Sequence, residues 1–145
     1  MPTTSNDLRL DALVAWYETL APATLADIGR HYAANAWFRD PFNEVTGREA
    51  IRHIFVHMFE ATGTPRFEVT SRAAQGNEAF LAWTFRCTLR GRAFEVRGMT
   101  HLEFNARGKV ARHHDHWDAA GELYEKFPVL GGLMRWLRRR LSAGG

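Results

Sequence analysis

The stretch EAFLAWTFRCTLRGRAFEVRGMTHLEFN, residues 78–105, decides the fold, because apolar side chains recur in it every second residue on both sides of a short turn. In its first half Leu81, Trp83, Phe85, Cys87 and Leu89 alternate with Phe80, Ala82, Thr84, Arg86 and Thr88. In its second half Phe94, Val96, Gly98, Thr100, Leu102 and Phe104 oppose Glu95, Arg97, Met99, His101 and Glu103. A period of two is that of a strand with one face turned to a core, and Gly91-Arg92 between the halves reads as a hairpin connection.

The pattern extends both ways. Arg66 to Gln75 and Lys109 to Trp117 read as two further strands, set off by Gly76-Asn77 and Ala106-Arg107-Gly108, which makes the second half of the chain an antiparallel meander. Upstream the period becomes helical. Leu10, Leu13, Val14, Tyr17 and Leu20 mark a helix from about Asn6 that stops at Ala21-Pro22. Thr24 is expected to N-cap a shorter helix with Leu25, Ile28 and Tyr32 on one face and Asn35 at its end. After a strand carrying Trp37, Gly47 precedes a third helix with Ile51, Ile54, Phe55, Met58 and Phe59 on its apolar side, closing at Thr62-Gly63, where glycine suits a left-handed C-cap. Helices grouped before a long meander imply an α+β layer: three N-terminal helices over one face of a curved antiparallel sheet, with a pocket between them.

A chain of 145 residues is most simply one domain, and a domain of that size buries roughly 70% of its unfolded surface, enough for a core and a pocket. No apolar run approaches the ~18 residues of a spanning helix. The polar start, Met1 to Asn6, lacks the apolar core of a signal peptide, so a reducing cytoplasm is the expected location. Cys87 has no second cysteine to pair with and reads as a small buried hydrophobe. The formal charge of +3 is local: without Arg135, Arg138, Arg139 and Arg140, 15 basic residues face 16 acidic ones. That argues against a nucleic-acid-binding face on the fold. The arginines belong to a final helix marked by Leu130, Leu133, Met134, Leu137 and Leu141. Such a helix more often packs over its own domain or a dimer mate than on a membrane surface, where Trp136 would be its anchor.

Two places carry chemistry. In Ala36-Trp37-Phe38-Arg39-Asp40-Pro41-Phe42 a single carboxylate stands among bulky apolar neighbours, and Pro41 holds Asp40 out of helical conformation. In a dry site its pKa would rise and it could serve as general acid or base; in water it would be an Asx-turn residue. In His113-His114-Asp115-His116-Trp117-Asp118, alternation puts Ala111, His113, Asp115 and Trp117 on one face and Val110, Arg112, His114 and His116 on the other. Trp117 argues that its own face turns inward, burying His113 beside Asp115 as a pair that orient each other. Because the histidines are split between faces, no metal is expected there.

Tyr17 on the first helix, Phe38-Arg39-Asp40-Pro41 ahead of Gly47, and the run from His101-Leu102-Glu103-Phe104-Asn105 to Gly108-Lys109-Val110 together resemble the ketosteroid isomerase branch of the nuclear transport factor 2-like (cystatin-like) superfamily. The resemblance covers most of residues 7–118, leaving 119–145 as a helical tail. It implies a curved sheet wrapped by helices into a cone, a small apolar ligand at the open end, and a homodimer. Carried over, Asp40 falls on the proton-shuttling aspartate, and Tyr17, or Trp16 one residue earlier, on the oxyanion-hole tyrosine. Thr100 stands where the isomerase has a protonated aspartic acid, which speaks against steroid isomerisation. The strand Lys109 to Asp115 also resembles the SnoaL-like polyketide cyclases, placing Asp115 on their acid/base aspartate and His101 on a helper histidine. The expectation is cofactor-independent proton transfer by Asp40, Asp115, His113 and Tyr17 on an apolar carbonyl compound, in a pocket lined by Trp16, Phe38, Phe42, Phe55, Thr100, His101 and Trp117. The alternative is a ligand-binding or dimeric module of the same fold without chemistry.

Overall fold

The computed structural model describes residues 5–119, 121, 122 and 139. In chain order the elements are α1 (Ser5–Glu18), a 3-10 turn (Thr24–Asp27), α2 (Ile28–His31), β1 (Tyr32–Arg39), β2 (Glu44–Thr46), α3 (Arg48–Ala61), β3 (Gly63–Gln75), β4 (Glu78–Leu89), β5 (Arg92–Phe104) and β6 (Val110–His116). The expected basic helix over 130–141 lies outside the described residues except for Arg139, which is helical and exposed. Among the described residues no helix is long and apolar enough to cross a membrane.

The strands form one curved sheet in the order β2-β1-β6-β5-β4-β3. The meander β3 to β6 is antiparallel throughout, as the alternation requires. The sheet as a whole is not, because β1 lies parallel to β6, a pairing that needs a long crossover, here the chain from β2 through β5. The inner face carries the core: Leu81 and Leu102 are completely buried, each worth about 1.5–3 kcal/mol relative to exposure. Leu10, Leu13, Val14 and Tyr17 of α1 and Ile51, Ile54 and Phe55 of α3 close over it, the helix spacing putting each set on one stripe.

Four local expectations are corrected. Thr24 does not cap the second helix: it lies within the 3-10 turn, its hydroxyl accepting from Ala21 N–H at 2.8 Å. That helix ends at His31, so Tyr32 and Asn35 belong to β1. Gly63 is not a left-handed cap. Thr62 ends α3 in extended conformation, its hydroxyl donating to the Met58 carbonyl at 2.7 Å, and Gly63 instead packs where a Cβ would overlap Thr88. The β4–β5 connection is Arg90-Gly91, one residue earlier than expected, with φ of 50° and 77° as a two-residue hairpin turn demands.

One irregularity matters for the site. Glu103 pairs with Arg112 but Phe104 pairs with Val110, so Ala111 bulges out of register. A bulge resets alternation, and both Val110 and His113 point into the core. A strict period of two had separated them.

Candidate functional site

Asp40 follows the last residue of β1 and opens a turn whose shape Pro41 favours. Its Oδ1 accepts the backbone N–H groups of Phe42 at 2.8 Å and Asn43 at 2.6 Å, and the Asn43 side-chain amide lies 3.2 Å from both oxygens. The Asx-turn and the apolar site are therefore the same place. Burial pushes the Asp40 carboxyl up to about 6, the charge of Asp115 pushes the same way, and the donors from Phe42 and Asn43 oppose both. A carboxyl poised there exchanges protons readily near neutrality.

Asp115 comes from β6 and ends a buried chain of hydrogen bonds. Trp83 Nε1 donates to Thr100 Oγ1 at 2.8 Å. The indole can only donate, so the single Thr100 proton goes to Asp115 Oδ1, 2.5 Å away. The same oxygen lies 2.7 Å from His113 Nε2. On the far side of the ring, Nδ1 is 2.7 Å from Tyr32 Oη and 3.3 Å from Tyr17 Oη, and the two phenols are 2.5 Å apart. One assignment gives every proton an acceptor: Tyr17 donates to Tyr32, Tyr32 to Nδ1 of a neutral imidazole, and Nε2–H to an ionised Asp115. Burial holds both phenols above their usual range, so both keep their protons to donate. His113 is 5% exposed, and a polar ring buried to that degree requires these partners.

Asp40 and Asp115 line one cavity between α3 and the inner face of the sheet, with Phe38, Phe42, Phe55 and Trp117 in its wall. Its volume, about 120 Å³, is many times that occupied by a single water. Cys87 also lines it, its thiol pushed up to about 11 by burial, which leaves it an apolar wall atom rather than a nucleophile. Tyr17, Thr100 and His113 line a smaller void beside it, which shares Phe55, Phe67, Trp83 and Asp115 with the first. Gly98 makes room for this arrangement. A Cβ there would fall 2.5 Å from the Trp83 ring and 3.0 Å from Trp117 Cβ.

Two expected lining residues lie elsewhere. Trp16 packs among Tyr17, His31, Tyr32 and Phe55, and its Nε1 donates to the Thr24 carbonyl at 2.9 Å. Of the two adjacent candidates, Tyr17 alone reaches the site. His101 is on the outer face of the sheet, stacked on Phe80 at 4.6 Å and 2.9 Å from Glu78 Oε1; alternation sends it opposite to Thr100. Among the described residues, Glu78, His101 and Glu103 are the group whose ligand-type atoms fall within 4.8 Å of one another, away from the cavity and already engaged in ion pairs, Glu103 with Arg112. His114 and His116 pack against each other on the outer side of β6.

Sequence reasoning missed Tyr32 and Asn43. The signal for Tyr32 was a phenol sharing the apolar positions of Leu25 and Ile28, where a buried hydroxyl needs a partner. For Asn43 it was the third residue after an Asp-Pro turn start, where an amide can return to the carboxylate.

The family model described as SnoaL-like domain matches residues 13–113. No curated protein matches the chain. Among solved structures, a protein with ketosteroid isomerase-like fold from Catenulispora acidiphila DSM 44928, in complex with trimethylamine, has TM-score 0.67 and 18% identity, covering 79% of this chain and 88% of that one. An NTF2-like protein from Burkholderia pseudomallei K96243 has TM-score 0.69 and 18% identity, covering 81% and 95%. An LEH-like epoxide hydrolase of M. tuberculosis has TM-score 0.69 and 12% identity, covering 93% and 96%. At these identities the likeness establishes the fold, whose members carry more than one chemistry.

Proposed function

The chain belongs to the SnoaL-like domain family, and from that premise we propose that it binds a small, largely apolar carbonyl compound and moves a proton next to the carbonyl. Asp40 is the base. The observation that carries this reading is a carboxyl raised to about 6 at the wall of an apolar cavity it shares with a second carboxylate. Two carboxyls in one cavity with different surroundings divide the roles of acid and base. Asp40 exchanges the proton, and Asp115, held by Thr100 and His113, is the second carboxyl, engaged in hydrogen bonds rather than in proton exchange. Thr100 spends its one proton on Asp115, so it does not act as the donor to substrate that a protonated aspartic acid would supply at that position.

The test is deuterium wash-in from D2O at carbons adjacent to the carbonyl across a panel of apolar cyclic ketones. Wild-type protein exchanges them and folded Asp40→Asn does not. Exchange that survives Asp40→Asn, or is absent across the panel, overturns the reading.

One observation favours a second reading, a binding module without chemistry: Asp115, His113, Tyr32 and Tyr17 already satisfy one another. It predicts saturable ketone binding with no wash-in.

A further inference from the structure

The cavity is chemically lopsided in a way that proton transfer does not use. Among the described residues its charged lining groups are Asp40 and Asp115, with no lysine or arginine in its wall. Asp115 Oδ1 takes both of that residue's hydrogen bonds, and Oδ2 takes none among the described residues. Eight rings line the cavity with the two carboxylates, Phe42, Phe67, Trp83, Phe85 and Trp117 among them. Two pairs meet edge to face, Phe42 with Trp117 at 66° and 5.5 Å and Phe67 with Trp83 at 85° and 5.8 Å, while Phe67 and Phe85 lie at 33° and 4.7 Å. Together they wall the cavity as an aromatic box.

A neutral ligand in such a box adds no counter-charge to the two carboxyls, so it binds less tightly than a cation of the same shape. A cation removes the deficit. Alkylammonium groups are attracted both by carboxylates and by aromatic faces, and their apolar methyl or methylene surface suits a hydrophobic wall.

We propose that the cavity selects a cationic amine, with an alkylammonium group lodged between Asp40, Asp115 and the aromatic box. This rests on the cavity being the substrate site and names the class of compound that enters it: an amine-bearing rather than a purely hydrocarbon carbonyl compound. The binding geometry sets the ammonium beside both carboxylates, so it also favours ionised Asp40, the form that a base needs.

The experiment compares two molecules of nearly the same shape, phenyltrimethylammonium and tert-butylbenzene, by quenching of tryptophan fluorescence in the full-length protein. The cation is expected to bind about tenfold more tightly or better, as a desolvated cation–π and charge contact requires. Asp115→Asn abolishes that preference while leaving tert-butylbenzene bound. Because Asp115 also holds the buried hydrogen-bonded chain, Phe85→Leu is the second variant: it stays apolar, loses the ring face, and weakens the cation more than tert-butylbenzene. Equal or tighter binding of tert-butylbenzene, or no binding of phenyltrimethylammonium at millimolar concentration, overturns the proposal. Wash-in into neutral ketones is measured separately, so failure of cation selection and failure of the catalytic reading give different results.

Discussion

Tyr32 Oη lies 2.7 Å from Nδ1 of His113, and through that contact a residue of the strand parallel to β6 sets the tautomer of the imidazole that faces Asp115. Tyr32→Phe removes the donor to Nδ1 and the acceptor for Tyr17 together. The expected cost is about 1–3 kcal/mol, the price of leaving buried polar groups unpaired, measured by urea denaturation. Tyr17, 3.3 Å from Nδ1, can move in as substitute donor, so Tyr17→Phe combined with Tyr32→Phe destabilises more than the sum of the two.

His113 and His101 are expected to behave as opposites. His113→Ala empties a buried site and strands Tyr32 and Asp115, costing about 3 kcal/mol or more. His101→Ala, on the outer face, changes stability by about 0.5 kcal/mol or less and leaves ligand binding unaltered. Thermal denaturation and fluorescence titration of both variants check the contrast.

Gly98→Ala is expected to disturb the cavity without touching a titratable group. The added methyl collides with the Trp83 ring, forcing an overpacking cost of about 1–3 kcal/mol and breaking the Trp83 to Thr100 hydrogen bond. A red shift of tryptophan emission with weakened ligand binding is the signature to look for.

Asp40 is expected to cost stability at neutral pH. Its folded pKa, about 6, lies above its ordinary value of 3.8, so between those values the native state binds the proton that the unfolded chain has lost. Stability therefore falls as pH rises through this window and is level above it. Asp40→Asn keeps an oxygen for the Phe42 and Asn43 N–H groups and removes the charge. It should be more stable than wild type by up to about 3 kcal/mol above about pH 6, with no advantage below about pH 4. Paired denaturation curves across that range measure it.

Much of the fold was legible because its meander and its two long helices announce themselves by period. The pairing of β1 with β6 was not, since it joins segments some 75 residues apart, Tyr32 with Val110 and Phe38 with His113 among them, and no local pattern encodes such a contact. Tyr32 was misread because Leu25, Ile28 and Tyr32 satisfy a helical spacing that the chain abandons after His31. The Ala111 bulge was invisible for a related reason: it appears only in the register between β5 and β6. His101 is the instructive case. Simple alternation had already placed it opposite Thr100, and that reading describes the structure better than the helper role implied by resemblance to the cyclases. Asp40 and Asp115 were legible as candidates for one pocket, and both line the same cavity.

The most direct test of Asp40 as a base inside the cavity is a carbon-13 NMR titration of its side-chain carboxyl, assigned by difference from Asp40→Asn. A midpoint near 6 that shifts when a ligand occupies the cavity is the predicted result. A midpoint at or below the ordinary value of about 4 for aspartate, unmoved by ligand, would contradict it.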